Sequence, residues 1–136
     1  MQLNLHNFAT LANAVVWAKD SIDAAAGRAR ARYLTIASGQ DATYSAKYAD
    51  AKAYITAGYP ADATNYPWVK AEAAASGLAT QQAADRIKQT GDGWAISIGP
   101  HIEGTRIGGK DKLAGLTTIA DVIASAYETR TTLDAI

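Results

Sequence analysis

The side chains most able to do chemistry at neutral pH are two histidines, His6 and His101. His101 stands with Glu103 and Arg106 in the densest polar cluster of the chain. The chemistry open to such a set is general-base catalysis by an imidazole that a carboxylate orients. The spacing argues against it. Residues two apart on a helix do not face each other, whereas Glu103 and Arg106, three apart, suit a surface ion pair of about half a kcal/mol. His6 falls in an N-terminal tail. The glycines of GDGWAISIGPHIEGTRIGGK invite comparison with a phosphate loop, but neither the P-loop spacing nor a strand–GxGxxG–helix order can be drawn through them. Asp20 and Asp23 could share a cation, yet no third carboxylate is near, and a solvated helix face accounts for them better. With no cysteine, neither a disulfide nor a thiolate metal site is possible. No catalytic, cofactor-binding or metal-binding residue is assigned, and the chain is expected to be non-enzymatic and to need no cofactor.

Charge narrows the partners. The 136 residues carry 13 basic and 13 acidic side chains, where a nucleic-acid binder shows a basic excess on some face. The one basic cluster is Lys19 with Arg28, Arg30 and Arg32, and the last three fan around a helix instead of forming a stripe. They read as cations near a helix C-terminus, and no nucleic-acid partner is expected. The start, MQLNLHNF, lacks the basic opening and long apolar core of a signal peptide, and no stretch reaches the roughly 18 apolar residues of a membrane span. A soluble protein made in cytosol-like conditions, with no membrane partner, is the expectation.

The elements that must position these groups are helical. Phe8, Leu11, Val15, Ala18, Ile22, Ala25 and Ala29 recur at spacings of three and four, which predicts a helix over 8–34 starting near Asn7. Most of this seam is small; 31 of the residues are alanine, which buries little area each. Gly27 inside it costs about 1 kcal/mol relative to alanine, so close packing or a bend is expected there. A second helix runs over 40–57, capped by Ser38 with Asp41 and stopped by Gly58. Joined by a short Ser38-Gly39 turn, the two predict an antiparallel hairpin. After a loop with two prolines, a third helix starts at Pro67 and stops at Gly77. Thr80 caps a fourth with Ala83, Ala84, Ile87 and Trp94 inward, which Gly91, Gly93, Gly99 and Pro100 either kink or end. Thr118 and Asp121 open the last helix. The expected fold is all-α: a long hairpin and assembly arm over 1–57, then a small helical bundle over 58–136, with short strands possible at 1–5 and 94–98.

Tyr44, Tyr48, Tyr54, Tyr59, Tyr66 and Trp68 cluster within 25 residues. Tyrosine and tryptophan serve equally in cores and at interfaces, being apolar at one end and hydrogen-bonding at the other. Helix one, about 40 Å long at 1.5 Å per residue, overhangs its shorter hairpin partner. The overhanging turns hold Phe8, Leu11 and Val15, which left bare would form an interaction patch. The candidate interface is therefore Phe8, Leu11, Val15, Ala18 and Ile22 with Tyr59, Tyr66 and Trp68, and a homo-oligomer, trimer or higher, is expected.

The run from Trp17 to Ile87 resembles an alanine-rich helical module of tailed-bacteriophage structural proteins, often encoded near tail-fibre genes. The resembling elements are the stretch from Asp23 to Arg30, then Tyr33, Gly39-Gln40, Tyr44 and Lys47, and Tyr66-Pro67 followed by an Ala/Glu helix and Gly77. Trp94 with Ile102-Glu103 and Arg106 resembles the next helix of that module, and the likeness extends over roughly residues 17–125. There the helix around Trp94 is unbroken, and Gly91, Gly93, Gly99 and Pro100 depart from that pattern. The resemblance implies a virion component, assembled in the bacterial host cytoplasm at the tail, baseplate or fibre-attachment region, with other virion proteins as partners. A tail-fibre assembly chaperone absent from the mature virion and a head decoration or collar protein are the alternatives.

Overall fold

The computed structural model describes residues 7–34 and 40–136, and every regular element among them is helical. In chain order these are α1 (Leu11–Ala31), α2 (Gln40–Thr56), α3 (Pro67–Ser76), α4 (Thr80–Asp92), a π-helical segment (Gly93–Ile98), α5 (Gly99–Leu113) and α6 (Ile119–Asp134). The all-α class is the one expected. The strand expected at 94–98 is absent: continued helix gives that backbone its hydrogen bonds within the chain, and among the described residues no strand offers an alternative. The strand expected at 1–5, the tail holding His6 and the Ser38 cap lie outside the described residues.

Local chemistry explains most boundaries. α1 starts later than Asn7, because Thr10 is its N-cap and accepts from the Asn13 amide at 3.1 Å. Thr118 caps α6 in the same way, accepting from Asp121 N at 3.1 Å. α4 is capped not by Thr80 but at Ala79, whose amide donates to the Gln82 side chain at 3.1 Å. Gly77 ends α3 at φ +65°, and Gly58 follows α2 at φ +85°. α3 opens with no local side-chain cap; the Asp50 carboxylate of α2 accepts from the Val69 amide at 2.9 Å instead. The π segment leads straight into α5, whose first turn holds Pro100. A proline ring clashes with the carbonyl four residues back in a regular helix, and the wider π turn relieves that clash.

The described contacts divide the chain into two compact units, Met1–Leu34 with Ile98–Ile136, and Thr35–Ser97. In the first, α1 packs on α5 and α6; in the second, α2 packs on α3 and α4. The α1–α2 hairpin expected from the turn between them is not the packing either helix adopts, and the expected boundary at residue 57 falls inside the second unit. The seam of α1 finds its apolar complement on α5 and α6. Ala14, Ala18, Ile22, Ala25, Ala26 and Ala29 are buried with Ile102, Leu113, Val122, Ala126 and Leu133. The second unit buries Ala51, Tyr54, Ala63, Val69, Ala84 and Ile87, with Ile55, Tyr59 and Tyr66 packed against them.

Two glycines mark close approaches. A Cβ placed on Gly109 would lie 2.4 Å from Thr129 Cγ2, and one on Gly91 would lie 2.1 Å from the Tyr48 ring. Gly91 therefore serves packing, not helix termination. Gly27 differs, since nothing lies within 4 Å of a Cβ built there, so close packing is not its reason. Gly27→Ala is expected to stabilise the protein by up to about 1 kcal/mol through helix propensity alone. Gly109→Ala is expected to destabilise by about 1–2 kcal/mol, since Thr129 is stiff at χ1 and cannot retreat freely. Chemical denaturation of the two variants should move their midpoints in opposite directions.

Candidate functional site

The polar cluster around residue 103 joins α1 to α5. The α5 residue Arg106 donates to Glu103 at 2.8 and 3.0 Å and to Asp23 of α1 at 2.8 Å. Lys110, one turn further, holds the other side of Asp23 at 2.9 Å. Arg30 of α1 reaches back to Glu103 at 2.8 Å. The Glu103–Arg106 pair is the one its spacing implied. Asp23, read from sequence as a solvated carboxylate, is instead the acceptor for two α5 cations. His101 stands exposed on α5, and its backbone carbonyl accepts from Thr105 at 2.8 Å.

The arginine fan near the end of α1 has a comparable use. Pairings of Trp17 with Tyr127 and Arg28 with Asp134 run in the same chain direction, so α1 and α6 lie parallel. Their C-termini therefore share one end, where partial negative charge collects. Arg28 binds the Asp134 carboxylate at 3.2 Å, Arg32 donates to the Leu133 carbonyl at 2.6 Å, and the Tyr33 hydroxyl donates to the Ile136 carbonyl. These place two cations and a hydroxyl on acceptors at the C-terminal end of α6. Alternate spacing lets Arg28 and Arg32 serve α6 while Arg30 serves α5. That spacing was the available signal, but it names a partner only once the neighbouring helices are known.

The expected interface residues separate into groups. Ala18 and Ile22 are fully buried within the first unit, so they cannot meet another molecule; α5 and α6 have already taken that stripe. Phe8 precedes the helix and folds back on Trp17 with ring centroids 5.5 Å apart, and Trp17 meets Tyr127 at 6.0 Å. Phe8, Leu11 and Val15 stay partly exposed. Tyr59 and Tyr66 belong to the second unit's core, edge-on to Tyr54 at 5.9 and 5.2 Å. Their role there is internal packing. Trp68 remains 40% exposed. Trp94, expected inward, is only half buried, and the π segment holds no buried residue. Sequence periodicity missed Val16 and Ile96, which are 60% and 71% exposed, along with Ile107. Hydrophobic type alone does not distinguish them from core residues.

Two further ion clusters hold the second unit. Glu72 of α3 pairs with Lys47 of α2 and with Arg86 of α4, so one carboxylate links three helices. Asp92 takes Lys88 at 2.6 Å and the Tyr48 hydroxyl. Compared with protein-family models, with curated proteins and with solved structures, the chain finds no match in any of the three.

The carboxylates respond to these partners. Hydrogen bonds from Lys110 and Arg106 hold Asp23 below its ordinary value of 3.8, and Arg106 with Arg30 holds Glu103 below 4.5. Burial pushes Glu72 up, but Lys47 and Arg86 outweigh it and leave the carboxyl lowered. A depressed folded-state pKa contributes stability that is complete above the unfolded value and lost as pH falls through the folded one. The melting temperature is therefore expected to be flat above about pH 5 and to drop steadily below about pH 4. Arg106→Met should reduce the size of that drop, because Asp23 and Glu103 then titrate nearer their ordinary values. Thermal unfolding followed across pH checks both.

Proposed function

We propose that this chain is a non-enzymatic structural component of a tailed-bacteriophage particle, at the tail, baseplate or fibre-attachment region, acting through helix-mediated assembly with other virion proteins and with further copies of itself. The virion placement rests on the resemblance over residues 17–125. The observation that carries the assembly reading is how the side chains are used. The residues with most chemical capacity, Asp23, Glu103 and Arg106, are committed to joining α1 and α5, while Val16, Trp68, Ile96 and Ile107 stand in solvent. Adjoining exposed apolar groups, unlike ones scattered singly, mark a contact surface. On α1 the partly open side chains Phe8, Leu11 and Val15 adjoin Val16, and this first part of the helix is the proposed contact.

Mass spectrometry of purified particles is expected to find the protein in stoichiometric amount. Its absence from particles while present in infected-cell lysate would favour the assembly chaperone instead. Val16→Asp, at a position that core packing does not use, is expected to abolish association through α1 and leave far-UV circular dichroism unchanged. Association as strong as that of the unmodified protein in that variant would exclude α1 as the contact.

A further inference from the structure

Arg130 of α6 is the arginine without an acceptor. Every other arginine donates to a carboxylate, hydroxyl or carbonyl oxygen of the chain. The Nε of Arg130 is buried with no hydrogen-bond partner among the described residues, and its guanidinium lies over the Tyr127 ring, 5.1 Å from the centroid. The residue as a whole is half-buried, so its covered end is Nε and its open end is the pair of Nη atoms. A guanidinium stays charged at every pH a folded protein meets. Here it is partly stripped of water, seated on an aromatic face and given no anion. A carboxylate brought to the two Nη atoms supplies the counter-charge that water supplies poorly there.

The neighbouring stretch of α1 presents an unused carboxylate. Of the two on that helix, Asp23 is taken by Arg106 and Lys110, while Asp20 is exposed and in no ion pair among the described residues. Trp17 meets Tyr127 across the parallel helices α1 and α6, and Asp20 and Arg130 each stand one turn further on. They share a level along the helices, yet Arg130 lies on Tyr127 and not on Asp20. We infer that the α1 contact is a two-fold pairing of two copies of the chain, in which Arg130 of each copy takes Asp20 of the other. This rests on the reading of α1 as an assembly contact and names its occupant. A two-fold axis across α1 at the level of Asp20 brings both pairs together, because residues at that level stay at it. The same axis sets Val16 opposite the second copy's Ala24, four residues to either side of Asp20, so a small exposed residue receives the exposed valine. The two Asp20 carboxylates approach each other there, and the two guanidiniums offset that repulsion.

Sedimentation equilibrium on the full chain tests this. The unmodified protein is expected to self-associate, and Asp20→Arg or Arg130→Glu alone to weaken that association by about tenfold or more, because each reverses two contacts at once. An equimolar mixture of the two variants should associate nearly as tightly as the unmodified protein, since each introduced charge then meets its opposite on the other chain. A pair formed within one chain cannot give that rescue. Asp20→Arg alters an exposed side chain outside the core, so its far-UV circular dichroism should be unchanged. Variants that associate as tightly as the unmodified protein, or a mixture no tighter than either variant alone, overturn the pairing. If Val16→Asp separates the copies while the charge variants do not, the α1 reading stands and the Arg130 pairing falls. A monomeric unmodified protein overturns the two-fold contact, and its presence in purified particles would still uphold the structural role.

Discussion

Burial of an alanine stripe requires helix axes to come close, and this constraint shapes the first unit. At roughly 25 cal/mol per Å² an alanine methyl contributes far less than a leucine side chain, so the stability of such a seam depends on its length and on close approach. α1 offers six buried seam residues, five of them alanine, and both α5 and α6 lie against it. The α5–α6 contact is tight as well, to the point that Gly109 has no room for a methyl beside Thr129. Long charged side chains have no place at such contacts. They sit at the margins, where Asp23, Arg106, Lys110, Glu103 and Arg30 join α1 to α5. Exposed pairs of this kind add little energy each, but they oppose sliding of one smooth alanine surface along another.

The second unit meets the same shortage of bulk differently. Its core relies on tyrosines, whose hydroxyls need partners when covered. Tyr54 donates to the Pro60 carbonyl at 2.9 Å and Tyr59 to Asp85 at 2.6 Å, while Tyr48 reaches Asp92. Asp50 caps α3 from a neighbouring helix, and Glu72 draws cations from both α2 and α4. Polar atoms at one helix are repeatedly completed by another, so the short α3, with no local side-chain cap, is held in place by its surroundings.

What the sequence discloses is local, and what it hides is pairing. The helical class, the stops at Gly58 and Gly77, the Thr118 cap and the Glu103–Arg106 pair all follow from interactions within a few residues. Helix partners do not. The spacing of Ala18, Ile22 and Ala25 marks a buried stripe without saying what buries it, and the nearest helix in sequence proved not to be the cover. The same gap misplaced Ala18 and Ile22 on an interface and left the targets of Arg28, Arg30 and Arg32 unnamed. Gly91 and Pro100 mislead for a different reason. Read alone they break helices, but a tyrosine ring packed on one and a π turn before the other let the helix continue.

Because the first unit is assembled from two separated segments, its construction has an order in time. On a growing chain α1 emerges with its seam uncovered, and the residues that cover it, 99–113 and 119–134, are made only after the whole second unit. The second unit draws on a continuous run of chain and has short loops to close, so it can fold while α1 waits. Closing α1 onto α6 then costs loop entropy that grows only slowly with the length between them. Until that closure, Ile22 and the alanines of α1 form an open helical face. Nascent chains on neighbouring ribosomes offer the same face, so the time before 99–134 is made is the time in which α1 is open to exchange between copies.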